Sequence, residues 1–209
     1  MADLYAHLRA TCDQLTQEFD QIPEHRRTLL KELADYIASK YAADLTPELT
    51  VICTHNSRRS HIGQLWLPVA AEYYDLPRLA SYSGGTEATA FFINAVHALR
   101  QVGFQITGNT SHDNPRYLVQ WRDDMDAYPA FSKKYDQSPP NPSEGFGAIM
   151  ICNSASEACP VVSGADFRIA LPFDDPKAFD GSKLANIKYY ERALDIGREI
   201  LYALSLIQD

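Results

Sequence analysis

The sequence has no long apolar run and only a modest number of basic residues. Its apolar stretches, such as 148–152, fall far short of the roughly 20 residues that cross a bilayer, and its first residues lack the basic start and apolar run of a signal peptide. Lys and Arg number 19 against 27 Asp and Glu, so the formal net charge is −8. We therefore expect a cytoplasmic protein without membrane or nucleic-acid partners, in which any bound anion is held locally.

Cysteine is scarce as well, since the chain has four: Cys12, Cys53, Cys152 and Cys159. That number is too small for a fold that depends on disulfide bonds. In a reducing compartment, cysteines are more often buried, catalytic or metal-binding. A zinc site is disfavoured, because the spacing of Cys152 and Cys159 is not that of a zinc motif and no histidine lies nearby. Cys12 has no implied partner and is predicted to be structural.

Strand-like and helix-like segments alternate along the chain. With 12 Pro and 10 Gly among 209 residues, and 45% apolar residues, the chain is predicted to fold around a core. The alternation favours an α/β fold with a parallel four-stranded sheet and helices on both faces. The predicted strands are 49–53, 80–83, 146–152 and 168–171. The predicted helices are a pair within 2–44 broken near Pro23, then 60–74 with an interruption at Pro68, 88–102 and 182–207.

The chain is predicted to divide into an N-terminal helical extension, 1–47, and an α/β domain, 48–209. The extension could pack on the sheet or form the seam of a homodimer. Within the domain, residues 107–145 are rich in proline and predict a loop-rich insertion with one strand-like run at 117–121. In the last helix, the predicted buried face consists of Ile187, Tyr190, Leu194, Leu201 and Leu204.

The most informative segment follows the first predicted strand. Cys53 ends that strand, and Arg59-Ser60 opens the next helix after five intervening residues. A loop of this length can turn consecutive backbone N–H groups inward as a nest for a tetrahedral oxyanion, at the positive end of a helix. The predicted oxyanion-binding residues are Thr54, His55, Asn56, Ser57, Arg58 and Arg59.

The same layout suits nucleophilic catalysis. A helix N-terminus and an arginine favour the thiolate form of Cys53, which could then attack a bound phosphorus or arsenic centre. Arg59 would bind two oxygens of the oxyanion through its planar fork, Ser60 would donate to the sulfur, and Asn56 would hold the shape of the loop. The alternative is an inert buried thiol beside a solvated basic pair, Arg58 and Arg59.

The Cys-X5-Arg-Ser motif, with Asn56 inside it, resembles the signature of the low-molecular-weight protein tyrosine phosphatase superfamily. Asp175-Pro176, after the last predicted strand, resembles that family's general-acid loop. The resemblance implies hydrolysis of phosphomonoesters through a Cys53 phosphocysteine, with Asp175 protonating the leaving oxygen. For Asp174 and Asp175 an ordinary acidic turn is the alternative.

A further resemblance is to the thioredoxin-coupled arsenate reductases, which share the phosphatase fold. Cys152 and Cys159, seven positions apart with Pro160 after the second, match the two additional cysteines of that group. This implies that arsenate is reduced to arsenite through a Cys53 adduct and a Cys152–Cys159 disulfide, with thioredoxin as the reductant.

Three functions therefore stay open. Arsenate reductase is the first prediction. The second is a low-molecular-weight phosphatase in which Cys152 and Cys159 are bystanders, and the third is a non-catalytic module that binds phosphate or a partner. No organic cofactor is implied, and the metal expectation is limited to the potassium ion that related reductases hold, which here would lie near Asn56 and Ser83.

Overall fold

The computed structural model describes residues 3–108, 112–158 and 161–207. Its strands are β1 (Glu48–Cys53), β2 (Ala80–Gly85), β3 (Gln105–Gly108), β4 (Tyr117–Gln120), β5 (Tyr128–Ala130), β6 (Phe146–Met150) and β7 (Ala165–Ala170). Its α-helices are α1 (Ala6–Thr16), α2 (Glu24–Ala42), α3 (Arg59–Tyr73), α4 (Ile93–Val102), α5 (Asn153–Ala158) and α6 (Ala185–Ser205). None of these described helices has the length and apolar character needed to cross a bilayer.

Four strands form one parallel sheet in the order β2-β1-β6-β7, which confirms the predicted α/β fold. The central strands β1 and β6 are almost wholly buried, as their continuous apolar sequences predict. The carboxyl ends of parallel strands meet at one edge of the sheet. Cys53 at the end of β1, Cys152 beyond β6 and Asp175 beyond β7 therefore lie along the same edge.

The two N-terminal helices are built into the body of the protein. Both α1 and α2 pack against α6, and α1 contributes Leu8 and Leu15 to the same apolar core as the sheet. Pro23 precedes α2 directly, which agrees with the predicted break between two helices.

The segment 107–145 is more regular than its prolines predict. Strands β4 and β5 lie within it and pair with β3 as a separate three-stranded antiparallel sheet. Two strands were not predicted: β3, which is four residues long, and β5, which has three residues and contains Pro129, a residue that disfavours strands.

Two predicted helices differ from the structure. Helix α3 continues through Pro68 without the predicted interruption, since its neighbours Leu65, Leu67 and Val69 are buried and hold it in place. Helix α4 begins at Ile93, five residues after the predicted start at residue 88, because the preceding residues run beside the loop after β1.

The buried face of α6 also differs from the prediction. Ile187 is 52% exposed, whereas the neighbouring Tyr189 is fully buried. Leu201 and Leu204 are buried as predicted, and Tyr190 and Leu194 lie at the margin of the core.

Candidate active site

The loop between β1 and α3 is held from the outside through its carbonyl groups. Thr86 N donates to Cys53 O (3.2 Å), and Glu87 N donates to Thr54 O (2.8 Å). The hydroxyl groups of Thr89 and Ser132 both donate to His55 O (3.0 and 3.1 Å). His61 Nε2 donates to Asn56 O (3.0 Å), and Phe92 N donates to Ser57 O (2.9 Å). In contrast, the amides of residues 54–58 donate to no acceptor within the described part of the chain. With its carbonyls turned outward, the loop leaves a run of N–H groups for an anion, next to the N-terminus of α3.

Gly85 allows the loop to pack this closely against the end of β2. A Cβ at this position would lie 2.1 Å from Glu87 O and 2.7 Å from both Thr54 O and Asn56 N. No side chain fits there, so the second glycine of the Gly84-Gly85 pair has a steric reason. Asn56 itself takes a left-handed conformation with φ 44°, which asparagine tolerates better than most residues.

Cys53 lies at the floor of the loop and is 5% exposed. Its Sγ is 3.1 Å from Ser60 Oγ, and the Asn56 side-chain amide donates to the same hydroxyl oxygen at 2.9 Å. Because Asn56 Nδ2 occupies an acceptor position of that oxygen, the hydroxyl proton of Ser60 is free to point at the sulfur. The predicted roles of Ser60 and Asn56 are consistent with this geometry.

Arg59 and Asp175 meet at the mouth of the loop. Arg59 Nη2 donates to Asp175 Oδ2, and Nη1 donates to Phe173 O at 2.7 Å. Asp175 also accepts from the amide of Lys177 at 3.0 Å, which caps the turn that begins at Pro176. A small pocket is bounded by Cys53, Thr54, His55, Ser57, Arg58, Arg59 and Asp175.

The Arg58 side chain is turned away from this pocket floor. Its Nε donates to Tyr189 Oη at 2.5 Å, its Nη2 donates to Asp180 Oδ2 at 2.8 Å, and its guanidinium lies 4.2 Å from the centroid of the Phe92 ring. Burial lowers the pKa of Arg58, but the contacts with Tyr189 and Asp180 outweigh burial and raise it. Arg58 is therefore not the solvated basic residue of the alternative interpretation, and its guanidinium is engaged by Tyr189 and Asp180 in this structure.

Cys152 lies beside the loop at the end of β6. It is 2% exposed, and its Sγ is 3.6 Å from Thr54 Oγ1 and accepts from Ala155 N at 3.4 Å. Thr54 follows Cys53 directly, so the structure brings the second predicted cysteine next to the first. Cys159 lies outside the described residues.

A potassium ion between Asn56 and Ser83 does not fit this structure. The imidazole of His61 lies there, donating through Nε2 to Asn56 O at 3.0 Å, with Nδ1 3.4 Å from Ser83 Oγ. His61 is fully buried and stacks on Phe91 with ring centroids 4.0 Å apart. Burial, and then the charge of Lys133, hold its pKa well below the usual value, so the ring is neutral. No cluster of three metal-ligating acids, histidines or cysteines occurs among the residues described.

Sequence reasoning missed the segment 131–135, which supports the loop from behind. Lys133 N donates to Asn56 Oδ1 at 2.8 Å, and Lys133 O accepts from Gly85 N at 2.9 Å. Ser132 donates to His55 O, as described above. The segment is separated from Cys53 by almost eighty residues. Its aromatic residues Phe131 and Tyr135 suggest that it could wall the site, but nothing in the sequence indicates the contacts of Ser132 and Lys133.

Comparison with known proteins identifies the fold and relatives of the chain. No family model matches it. An arsenate reductase from Halalkalibacterium halodurans is 26% identical over 151 residues, which cover 71% of this chain and 88% of the relative. An arsenate reductase from Bacillus licheniformis is 28% identical over 150 residues, with 71% and 88% covered.

Among solved structures, a low-molecular-weight phosphotyrosine phosphatase from Vibrio cholerae O395 superposes with a TM-score of 0.53 at 13% identity, covering 78% of this chain and 97% of the phosphatase. The relatives and the structural neighbour are enzymes, in agreement with the prediction that this chain is one. The chain therefore has the low-molecular-weight phosphatase fold and is similar in sequence to arsenate reductases, which confirms the resemblance that its motifs indicate.

Proposed function

We propose that this chain is an arsenate reductase in which Cys53 is the nucleophile and Cys152 and Cys159 form the relay. The observation that carries the proposal is the loop after β1, whose carbonyls are all bonded from outside while its amides are left for an anion beside Cys53. The curated relatives named arsenate reductase support the choice of substrate. Cys152, in contact with Thr54, supports the relay.

Arsenate would bind with its oxygens on the amides of residues 54–58 and on Arg59. In the structure Arg59 is held by Asp175 and by the carbonyl of Phe173. We infer that Arg59 exchanges its Asp175 contact for the oxyanion on binding, because a bidentate arginine matches two arsenate oxygens. Asp175 is then released at the mouth, where it can transfer a proton.

The chemistry is a sequence of thiol exchanges. The Cys53 thiolate attacks arsenic, and an arsenate hydroxyl takes a proton from Asp175 and leaves as water, giving a Cys53 thiol–arsenate adduct. The Cys152 thiolate attacks the Cys53 sulfur and forms a Cys53–Cys152 disulfide, while the electron pair of the broken sulfur–arsenic bond reduces As(V) to As(III), which leaves as arsenite. Cys159 then attacks the Cys152 sulfur and frees the Cys53 thiolate.

The product of this sequence is a Cys152–Cys159 disulfide, so a dithiol must return two electrons for each turnover. We propose thioredoxin as that dithiol, and the cytoplasm, where thiols are kept reduced, as the location. A homodimer stays a prediction that measurement of the mass in solution would test.

Phosphomonoester hydrolysis is the second candidate function. It is favoured by the fold of the structural neighbour and by Asp175, whose carboxylate lies at the mouth of the pocket and is anchored by Arg59 and Lys177. A cavity of about 240 Å³, lined in part by Phe92, Thr89 and Lys177, adjoins the loop and offers space for the group attached to a phosphate.

Substitution of Cys152 or Cys159 distinguishes the reductase from the phosphatase. We expect Cys152→Ser and Cys159→Ser to lose multiple-turnover arsenate reduction with thioredoxin, while both retain hydrolysis of p-nitrophenyl phosphate. Cys53→Ser should lose both activities, and Cys12→Ala, remote from the loop, should retain both.

Arsenate turnover that survives in Cys152→Ser would contradict the relay. A wild-type protein that hydrolyses the phosphate ester but does not reduce arsenate would establish the phosphatase in its place. Retention of either activity in Cys53→Ser would exclude both enzymatic mechanisms.

A further inference from the structure

Lys133 is an unusual residue behind the oxyanion loop. It is 2% exposed, and its Nζ donates to Phe131 O at 3.5 Å and lies 4.9 Å from the centroid of the Phe131 ring. Among the described residues no carboxylate forms an ion pair with it, and burial, followed by the charge of Arg116, lowers the pKa of Lys133 to about 8. A buried ammonium without an anionic partner is costly, so its retention calls for a reason.

The backbone of Lys133 is hydrogen-bonded to the loop. Its N–H donates to the Asn56 side chain and its carbonyl accepts from Gly85, so residue 133 is joined to the loop and to the end of β2. Its charge reaches His61, whose Nε2 donates to Asn56 O. His61 is a neutral ring at this position and supplies no counter-charge.

We propose that the bound oxyanion is the counter-charge of Lys133, and that this residue sets the affinity of the loop for anions. The inference rests on the proposed function. Lys133 acts as a positioning residue through its field and does not touch the anion: its ammonium makes the interior behind the loop positive in the free protein, and a dianion on the amides relieves that excess charge.

If Lys133 has this role, its charge strengthens anion binding but lowers the stability of the free protein. Replacing Lys133 with methionine keeps most of its length and removes its charge, so the free protein should be at least as stable as the wild type, since the desolvation cost disappears. The same change should weaken anion binding. A lysine that served only to hold the segment 131–135 in place would show the opposite pattern, a loss of stability with little change in affinity.

The test compares Lys133→Met with Lys134→Met, which removes the same charge from the adjacent, exposed position. Inorganic phosphate is titrated into each protein by calorimetry, and unfolding by urea is followed without phosphate. We expect the dissociation constant for phosphate to rise about threefold or more in Lys133→Met and to stay within experimental error of the wild type in Lys134→Met. The urea midpoint of Lys133→Met should equal or exceed that of the wild type.

Equal phosphate affinity in the two variants would overturn the role of Lys133 and leave the proposed function intact. A Lys133→Met protein that is less stable than the wild type, or that fails to fold, would overturn it as well, because the account predicts relief of a buried charge. If the wild type itself binds no phosphate, the oxyanion loop and the inference built on it both fail.

Discussion

At the scale of single residues, the buried cysteines Cys12 and Cys53 have different surroundings. Cys12 lies in α1, where burial, and then the nearby charge of Asp13, raise its pKa to about 12. Cys53 ends β1 below the N-terminus of α3, beside the Ser60 hydroxyl and a run of amides that have no acceptor among the described residues. The proposed mechanism therefore predicts that Cys53, and not Cys12, is the reactive thiol.

Alkylation rates test this difference directly. With iodoacetamide at neutral pH in native protein, we expect Cys53 to be modified at least about tenfold faster than Cys12, and phosphate to protect Cys53. Ser60→Ala should slow the modification of Cys53 because the sulfur loses a hydrogen-bond donor. Peptide mapping by mass spectrometry measures both rates, and faster modification of Cys12 would contradict the assignment of the nucleophile.

Asp175 provides a second test at this scale. If it protonates the leaving oxygen, Asp175→Asn should slow hydrolysis of phenyl phosphate by about 10² to 10⁴, and should slow hydrolysis of p-nitrophenyl phosphate, whose leaving group needs little protonation, much less. Asp174→Asn is the matched control, since the Asp174 carboxylate is fully exposed and does not contact Arg59. An equal loss on both esters would indicate that Asp175 serves only to hold Arg59.

The predictability of the site follows from where its residues lie in the chain. The proximity of Cys53, Asn56 and Ser60 could be predicted because one loop and one helix turn bring them together within eight consecutive positions. The contact between Lys133 and Asn56 could not, since it depends on the packing of the segment 131–135 behind the loop. The position of His61 shows the same limit of sequence-based prediction. Helix periodicity predicts that His61 lies in a helix, but it does not predict that the imidazole ring lies between Asn56 and Ser83, where a cation was expected.

At the scale of elements, α6 shows why a periodic pattern can select the wrong face. Both Ile187 and Tyr189 suit a buried position by composition, and the structure buries Tyr189, whose hydroxyl donates to Asp180 and accepts from Arg58. The polar contacts of this tyrosine come from other segments and are absent from the helix's own pattern. Strand positions were predicted more closely, because β1 and β6 are buried on both faces and appear as continuous apolar runs.

A pair of truncations in α6 tests which face is buried. Leu201→Ala should lower the free energy of unfolding by about 2 to 5 kcal/mol, since Leu201 is fully buried. Ile187→Ala should change it by no more than about 0.5 kcal/mol, because its side chain is about half exposed. Urea denaturation measures both values, and a larger loss from Ile187→Ala would show that the sequence pattern identified the right face.

At the scale of the whole molecule, the N-terminal helices are part of one core, and α2 is fixed to the sheet through Asp166 in β7. Tyr36 Oη donates to Asp166 Oδ1 at 2.7 Å, Lys40 contacts Oδ2, and Tyr36 stacks on Phe167. Burial raises the pKa of Asp166, but the hydrogen bonds from Lys40 and Tyr36 outweigh it, and the net pKa is lowered.

This coupling predicts a pH dependence of stability. A carboxyl group whose folded pKa is lowered stabilises the fold above its unfolded pKa, and that contribution is lost as the pH falls through about 4 toward the folded value. We therefore expect Asp166→Asn to be less stable than the wild type at neutral pH and to lose less stability between pH 5 and pH 3. Asp35→Asn, in the exposed Lys31–Asp35 pair of α2, is the control, and its free energy of unfolding should depend on pH as that of the wild type does. The same pH dependence in the wild type, Asp166→Asn and Asp35→Asn would contradict a role for Asp166.

The most direct test of the account is mass spectrometry of the protein after a single arsenate turnover without added reductant. The account predicts loss of two hydrogens from the protein, a disulfide-linked pair of peptides containing Cys152 and Cys159, a free Cys53 thiol, and one arsenite released per chain. Intact thiols at Cys152 and Cys159 with no arsenite formed would contradict it.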